Sequence, residues 1–115
     1  MSTDCLFCKI IAGEIPSNKV YSDDEVYAFH DIGPQAPVHV LVIPKKHLAR
    51  VDAASDEDQA LLGHLILKAN EISANLGLSD AGFRYVINTG GQGGQTVDHL
   101  HLHILGGRKL GWPPG

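Results

Sequence analysis

Apolar positions change period along this chain, and the changes mark its elements. Leu6, Phe7, Ile10 and Ile11 recur at helical spacing between Cys5 and Ala12, with Asp4 placed to cap the start and Gly13 to end it, which predicts a short helix. Two runs rich in β-formers, Lys19 to Tyr21 and Val26 to His30, flank the polar Ser22-Asp23-Asp24-Glu25, and this predicts a hairpin. His39 to Ile43 reads as a third strand stopped by Pro44; before it, Gly33, Pro34 and Pro37 break the chain into an ordered loop. From Ser55 the period lengthens. Leu61, Leu62, Leu65, Ile66, Ala69, Ile72 and Leu76 recur every three or four residues behind Asp56, Glu57 and Asp58, predicting one long amphipathic helix ended by Gly77. Strand patterning returns at Phe83 to Asn88 and Asp98 to Leu105, on either side of the glycine-rich Gly90-Gly91-Gln92-Gly93-Gly94.

This order predicts an α+β fold: a sheet of about five strands, mainly antiparallel, with the long helix on one face and one short helix besides. A length of 115 residues suits a single domain over residues 1–115, and neither an internal repeat nor a linker divides it. The net charge of -4 gives no basic field to hold a nucleic acid polymer. MSTDCLFCKII does not read as a leader, and no apolar run approaches the roughly 20 residues that span a bilayer. A soluble, cytoplasmic protein with no membrane partner is expected.

The stretch HLHLHIL, residues 99–105, carries three of the seven histidines at alternate positions. Strand alternation puts His99, His101 and His103 on one face and Asp98, Leu100, Leu102 and Ile104 on the other. The leucines are expected under the long helix and the histidines as a polar strip on the outer face, about 6.6 Å apart. Three readings of the strip stand: an ordinary polar face, a pair of metal ligands, or an imidazole nucleophile. The glycine-rich loop just before it favours the third, because backbone N–H groups without side chains in the way can cradle phosphate oxygens. The only cysteines, Cys5 and Cys8, are too close for a disulfide framework; such a pair binds metal or stays as thiols.

HLHLHIL resembles the histidine triad signature of the HIT superfamily. FCKIIAGEIPSNKVY, FHDIGPQAPVHVLVIPKKH, NTGGQGGQTVDH and LGGRKLGWPPG are similar to its Hint branch, the histidine triad nucleotide-binding proteins, so the resemblance covers nearly the whole chain. It implies a HIT-like fold and a purine nucleoside phosphoramidase, which hydrolyses the P–N bond of adenosine 5'-monophosphoramidate and related aminoacyl nucleotides to AMP and an amine. By the same resemblance His101 is the nucleophile that forms a nucleotidyl-histidine, His103 donates to an oxygen of the transferring group, and His39 orients the triad that His99 begins. Asp31 and Ile32 would hold the ribose. Phe29, Leu41, Phe7, Ile10 and Ile15 would wall an apolar slot for the base, with Asn88, Gly94, Gln95 and Thr96 on the phosphate side.

No cofactor is expected in the chemistry, since the acid beside the triad, Asp98, points by parity to the opposite face. In the HIT proteins that carry a Cys-X-X-Cys and bind zinc, the remaining ligands match His47 and His99, so the resemblance implies a structural zinc on Cys5, Cys8, His47 and His99. The other reading is a pair of reduced, half-buried thiols. Three features depart from the branch: Thr96 stands where serine is usual, Asp98 where a bulkier residue is common, and, the larger departure, Cys5-Leu6-Phe7-Cys8, which its better known animal members lack while many other HIT proteins carry it. Trp112, between Gly111 and Pro113, belongs to no regular element, so residues 106–115 form a frayed end or a docked arm. The resemblance implies a homodimer in which this arm approaches the partner's site. Competing functions are a dinucleoside polyphosphate hydrolase or nucleotidyl transferase on the same triad, and a non-enzymatic module that binds zinc and nucleotide.

Overall fold

The structure, a computed structural model, describes residues 4–115; Met1, Ser2 and Thr3, the start of the stretch read above as no leader, lie outside the described residues. In chain order the elements are α1 (Leu6–Ile11), β1 (Lys19–Ser22), β2 (Val26–His30), β3 (Val38–Pro44), α2 (Gln59–Asn75), β4 (Phe83–Val86) and β5 (Leu102–Gly106). The five strands form one sheet in the order β1-β2-β3-β5-β4, antiparallel throughout, as the α+β reading expected. Asp23 ties the β1–β2 hairpin to α2: its carboxylate accepts hydrogen bonds from the Tyr21 hydroxyl, the Glu25 and Val26 backbone N–H groups and His64 Nε2.

Strand parity gives the sheet two apolar faces. Val26, Ala28, Val40, Val42, Leu102 and Ile104 pack beneath Leu61, Leu65, Ala69 and Ile72 of α2, forming the main core. On the other face Phe29, Leu41 and Ile43 meet Cys5, Phe7, Cys8 and Ile10 in a smaller cluster at α1. The second face is thus covered rather than open to water, and this changes the surroundings of the histidines.

Several boundaries differ from the sequence reading. α1 is capped by Cys5 rather than Asp4, the Cys5 Sγ accepting the Cys8 N–H at 3.3 Å, and Leu6 of its predicted stripe is exposed. Pro44 does not stop β3 but is its last residue, opposite Val26. α2 begins at Gln59 because Asp56–Asp58 wind into a tighter helical turn, closed by a reciprocal cap between Ser55 and Asp58; Ile66 lies outside its buried stripe. Gly77, at φ 76°, ends the helix in the left-handed region that favours glycine. β4 ends at Val86, leaving Asn88 beyond it. The difference with most consequence is at β5, which starts at Leu102 instead of Asp98. Pro44 has no N–H to extend the β3–β5 ladder, and the Leu100 N–H donates to the Leu48 carbonyl at 2.7 Å instead.

Candidate functional site

The register of three strands assembles one end of the site. Leu41 lies opposite Phe29 on β2 and opposite His103 on β5, so the three side chains share a face, and His39 joins them two residues away on β3. The hydrogen bonds fix the tautomers. The Gln35 backbone N–H donates to His39 Nδ1 at 3.1 Å, so that nitrogen is bare and the ring's proton is on Nε2. His39 Nε2 then donates to His103 Nδ1 at 2.9 Å, with Asp31 Oδ2 at 3.5 Å. Neutral His103 must therefore carry its proton on Nε2, a buried atom with no hydrogen-bond partner among the described residues. Burial, with the neighbouring His101 and His39, lowers the His103 pKa to about 4. Burial lowers that of His39 as well, against the opposing pull of Asp31. Both rings are therefore neutral at neutral pH, consistent with these hydrogen bonds.

His101 and His99 precede β5 but keep the strand's alternation. His101 Nδ1 donates to the His99 carbonyl at 2.7 Å, which leaves Nε2 bare in the neutral ring. The His101 ring packs edge-on against Phe7 at 5.2 Å and lies 4.9 Å from His103. His99 donates from Nε2 to the Pro44 carbonyl at 2.8 Å, so its bare nitrogen is Nδ1. The predicted polar strip is not exposed: His99 is 0% and His101 5% accessible, because α1 covers the face that sequence alone left to solvent.

His99 Nδ1 faces a second group. It lies 3.3 Å from Cys5 Sγ, 3.6 Å from Cys8 Sγ and 3.2 Å from His47 Nδ1, while Cys8 Sγ is 3.3 Å from His47 Nδ1. Zinc bonds of about 2.3 Å to sulfur and about 2.0 Å to nitrogen give tetrahedral edges of about 3.3 Å between nitrogens and about 3.5 Å between nitrogen and sulfur. The four edges just given thus match those such an ion needs, all four atoms lie within 4.8 Å of one another, and two sulfurs with two imidazoles make a set suited to zinc. Without an ion, burial and the adjacent Cys5 push the Cys8 thiol up to about 11. A cation in the cluster would reverse that.

The other sequence-predicted residues are less uniformly placed. Phe29, Leu41, Phe7 and Ile10 pack together, with Ile15 against them. Asp31 accepts the Gly33 N–H at 2.7 Å, while the Ile32 side chain beside it is 100% exposed. Gln95 braces the glycine loop: Oε1 accepts the Gly90 N–H, and Nε2 donates to the carbonyls of Ala49 and Val97. Gly94 lies in that turn at φ 83°, and at Gly93 a side chain would collide with the Thr89 carbonyl. Thr96 borders a cleft of about 450 Å³ together with Cys5, His47 and Asp98. Asp98 is exposed in a bend outside the ladder, so the parity argument that sent it to the opposite face does not apply to it. Sequence reasoning missed the Gln35 N–H and the carbonyls of Pro44 and His99. These are main-chain groups, which every residue has and no motif marks.

A family model described as the HIT domain matches residues 12–110. An uncharacterized HIT-like protein from Synechocystis sp. is 62% identical over 115 residues, 100% of each chain. Among solved structures, a HIT family hydrolase from Legionella pneumophila is similar at TM-score 0.96 and 50% identity, over 97% of this chain and 100% of that one. A histidine triad protein from Clostridium difficile is similar at TM-score 0.93 and 48% identity, over 96% of each.

Proposed function

The chain belongs to the HIT family, and from that premise we propose that it is a hydrolase of the Hint branch, a purine nucleoside phosphoramidase. Its substrates are adenosine 5'-monophosphoramidate and related aminoacyl nucleotides, which it converts to AMP and an amine. The observation that carries the reading is the pairing of a bare Nε2 on His101 with a buried, unpartnered N–H on His103 Nε2, on rings 4.9 Å apart. A nucleophile and a hydrogen-bond donor side by side are what displacement at phosphorus asks of a protein.

In this mechanism His101 Nε2 attacks the phosphorus as the bond to the amine breaks, and the departing nitrogen takes a proton from solvent water, which the later hydrolysis of the intermediate returns. Water then hydrolyses the nucleotidyl-histidine, releasing AMP and restoring the imidazole. His103 donates from Nε2 to a non-bridging oxygen, and His39 holds it in the tautomer that can do so. Asp31 accepts from the ribose hydroxyls beside Ile32. The base enters the slot between Phe29, Leu41, Phe7 and Ile10, and the backbone around Gly94, Gln95 and Thr96 receives the phosphate with Asn88. No metal takes part in the displacement.

Cys5, Cys8, His47 and His99 would hold a structural zinc, a reading supported by the spacing of their ligand atoms. Zinc would supply a cross-link between α1 and the two histidine segments there, and no part of the chemistry. Residues 1–115 act as one cytoplasmic domain that pairs as a homodimer, with the C-terminal arm near the partner's site.

The test measures AMP release from adenosine phosphoramidate and from diadenosine polyphosphate, with wild type and with His101→Ala, in magnesium-free buffer. Release from the first substrate that depends on His101 is expected. Preference for the second would replace this reading with a polyphosphate hydrolase, and inactivity on both would leave a binding module.

A further inference from the structure

One residue belongs to both groups of histidines. His99 turns Nδ1 to Cys5, Cys8 and His47, while its main-chain carbonyl accepts the Nδ1–H of His101 and so leaves His101 Nε2 bare. A second connection runs through α1. Phe7 lies between the two cysteines in sequence, and its ring stands edge-on to His101 at 5.2 Å and to Phe29 at 5.5 Å.

α1 has six residues, well below the roughly 12–15 that an isolated helix needs to persist in water. Its position therefore depends on what it is docked to, namely the smaller apolar cluster and the cysteine–histidine contacts. The main core beneath α2 includes none of Cys5, Phe7, Cys8 or Ile10, so it can stand while α1 loosens.

We propose that the Cys5, Cys8, His47 and His99 cluster is a control site for the nucleotide pocket. Zinc on these residues fixes α1 and the His99 main chain, which holds Phe7 at the base slot and His101 in its bare-Nε2 form. Loss of zinc releases both without unfolding the sheet and α2. For the identity of the pocket's ligand, this inference rests on the phosphoramidase reading. Oxidation by a peroxide is one chemical route to that loss. With hydrogen peroxide, the Cys5 and Cys8 thiolates each give up one electron as the S–S bond forms, the peroxide takes both electrons and two protons to become two waters, and zinc leaves because only two imidazoles remain to hold it.

The experiment compares full-length protein loaded with zinc, stripped of it, and carrying Cys8→Ser. Zinc content, far-ultraviolet circular dichroism, the ¹⁵N spectrum of His101 without nucleotide, and AMP affinity by calorimetry are read on each. Zinc-loaded protein should show a single Nδ1–H tautomer of His101. The stripped protein and Cys8→Ser should keep most of their dichroism, show mixed His101 tautomers and bind AMP about tenfold more weakly. Peroxide should give the stripped pattern, and a dithiol with zinc should reverse it.

An unchanged His101 spectrum after stripping overturns the proposal, as does global unfolding on zinc loss or failure of the wild type to take up zinc. If zinc-loaded protein does not bind AMP, the phosphoramidase reading has failed, and the His101 spectrum still decides the coupling.

Discussion

His101→Ala removes a bare imidazole nitrogen yet leaves Phe29, Leu41 and Asp31 where they are, so chemistry and binding should separate at this residue. AMP release is expected to fall by about 10³-fold or more in single-turnover assays, with AMP affinity changed only a few-fold. Comparable loss of both would show that the ring binds rather than attacks. A second expectation concerns acid. Burial first, with neighbouring charges second, lowers the His103 pKa to about 4, and burial also lowers that of His39, from an ordinary value of about 6.5. The unfolded chain therefore takes up protons before the folded one does. The stability given by keeping these rings neutral is complete above about pH 6.5 and is lost as pH falls toward about 4. Urea midpoints should drop between pH 7 and pH 5, and equal midpoints would remove this account. The identity of these residues was legible as a motif. Their protonation states were not, because the partners that set them are main-chain groups of Gln35 and His99.

At the scale of elements, α2 was the most legible. Leu61, Leu65, Ala69 and Ile72 keep the helical period and all four are buried, so periodicity and tertiary packing agree there. Leu65→Ala, at a site 1% exposed in the main core, should cost about 2–5 kcal/mol in chemical denaturation. A cost near zero would mean that α2 is not clamped on the sheet as described. β5 was less legible. HLHLHIL alternates along its whole length, yet pairing with β3 covers only its later residues, since Pro44 offers no N–H where the ladder would continue. α1 was legible as a helix from its own pattern, but its place on the histidine side of the sheet came only from the resemblance that sets Phe7 and Ile10 in the base slot, since no periodicity within Leu6 to Ile11 marks it.

For the whole molecule, the arm carries the remaining expectation. Gly106 closes β5 opposite Val38 and Phe83, so the arm proper follows it. It is held to its own chain where Arg108 donates to the Gln35 carbonyl and Arg84 to the Gly111 carbonyl, while Trp112 stays 82% exposed. Deleting residues 107–115 should change the ratio of kcat/KM between substrates with small and bulky amines while moving the denaturation midpoint little. Unchanged ratios would remove the arm from substrate selection. Sedimentation of the intact chain at twice the monomer mass is the matching expectation for the homodimer. Among the described residues no helix is long and apolar enough to cross a membrane.

By itself the sequence determined the fold class, the two alternating sets of side chains in HLHLHIL, and the residues that the family motif singles out, because periodicity and spacing are local properties of a chain. The family resemblance set His99 with Cys5, Cys8 and His47 as an expectation, but only the tertiary structure decided which atoms meet. Parity says that His99, His101 and His103 point the same way, but not that α1 covers them, that it is Nδ1 of His99 that turns to the two cysteines, or that His103 keeps an N–H unmet among the described residues. Those outcomes depend on contacts between distant segments and on which donor reaches which acceptor, and no local pattern encodes either.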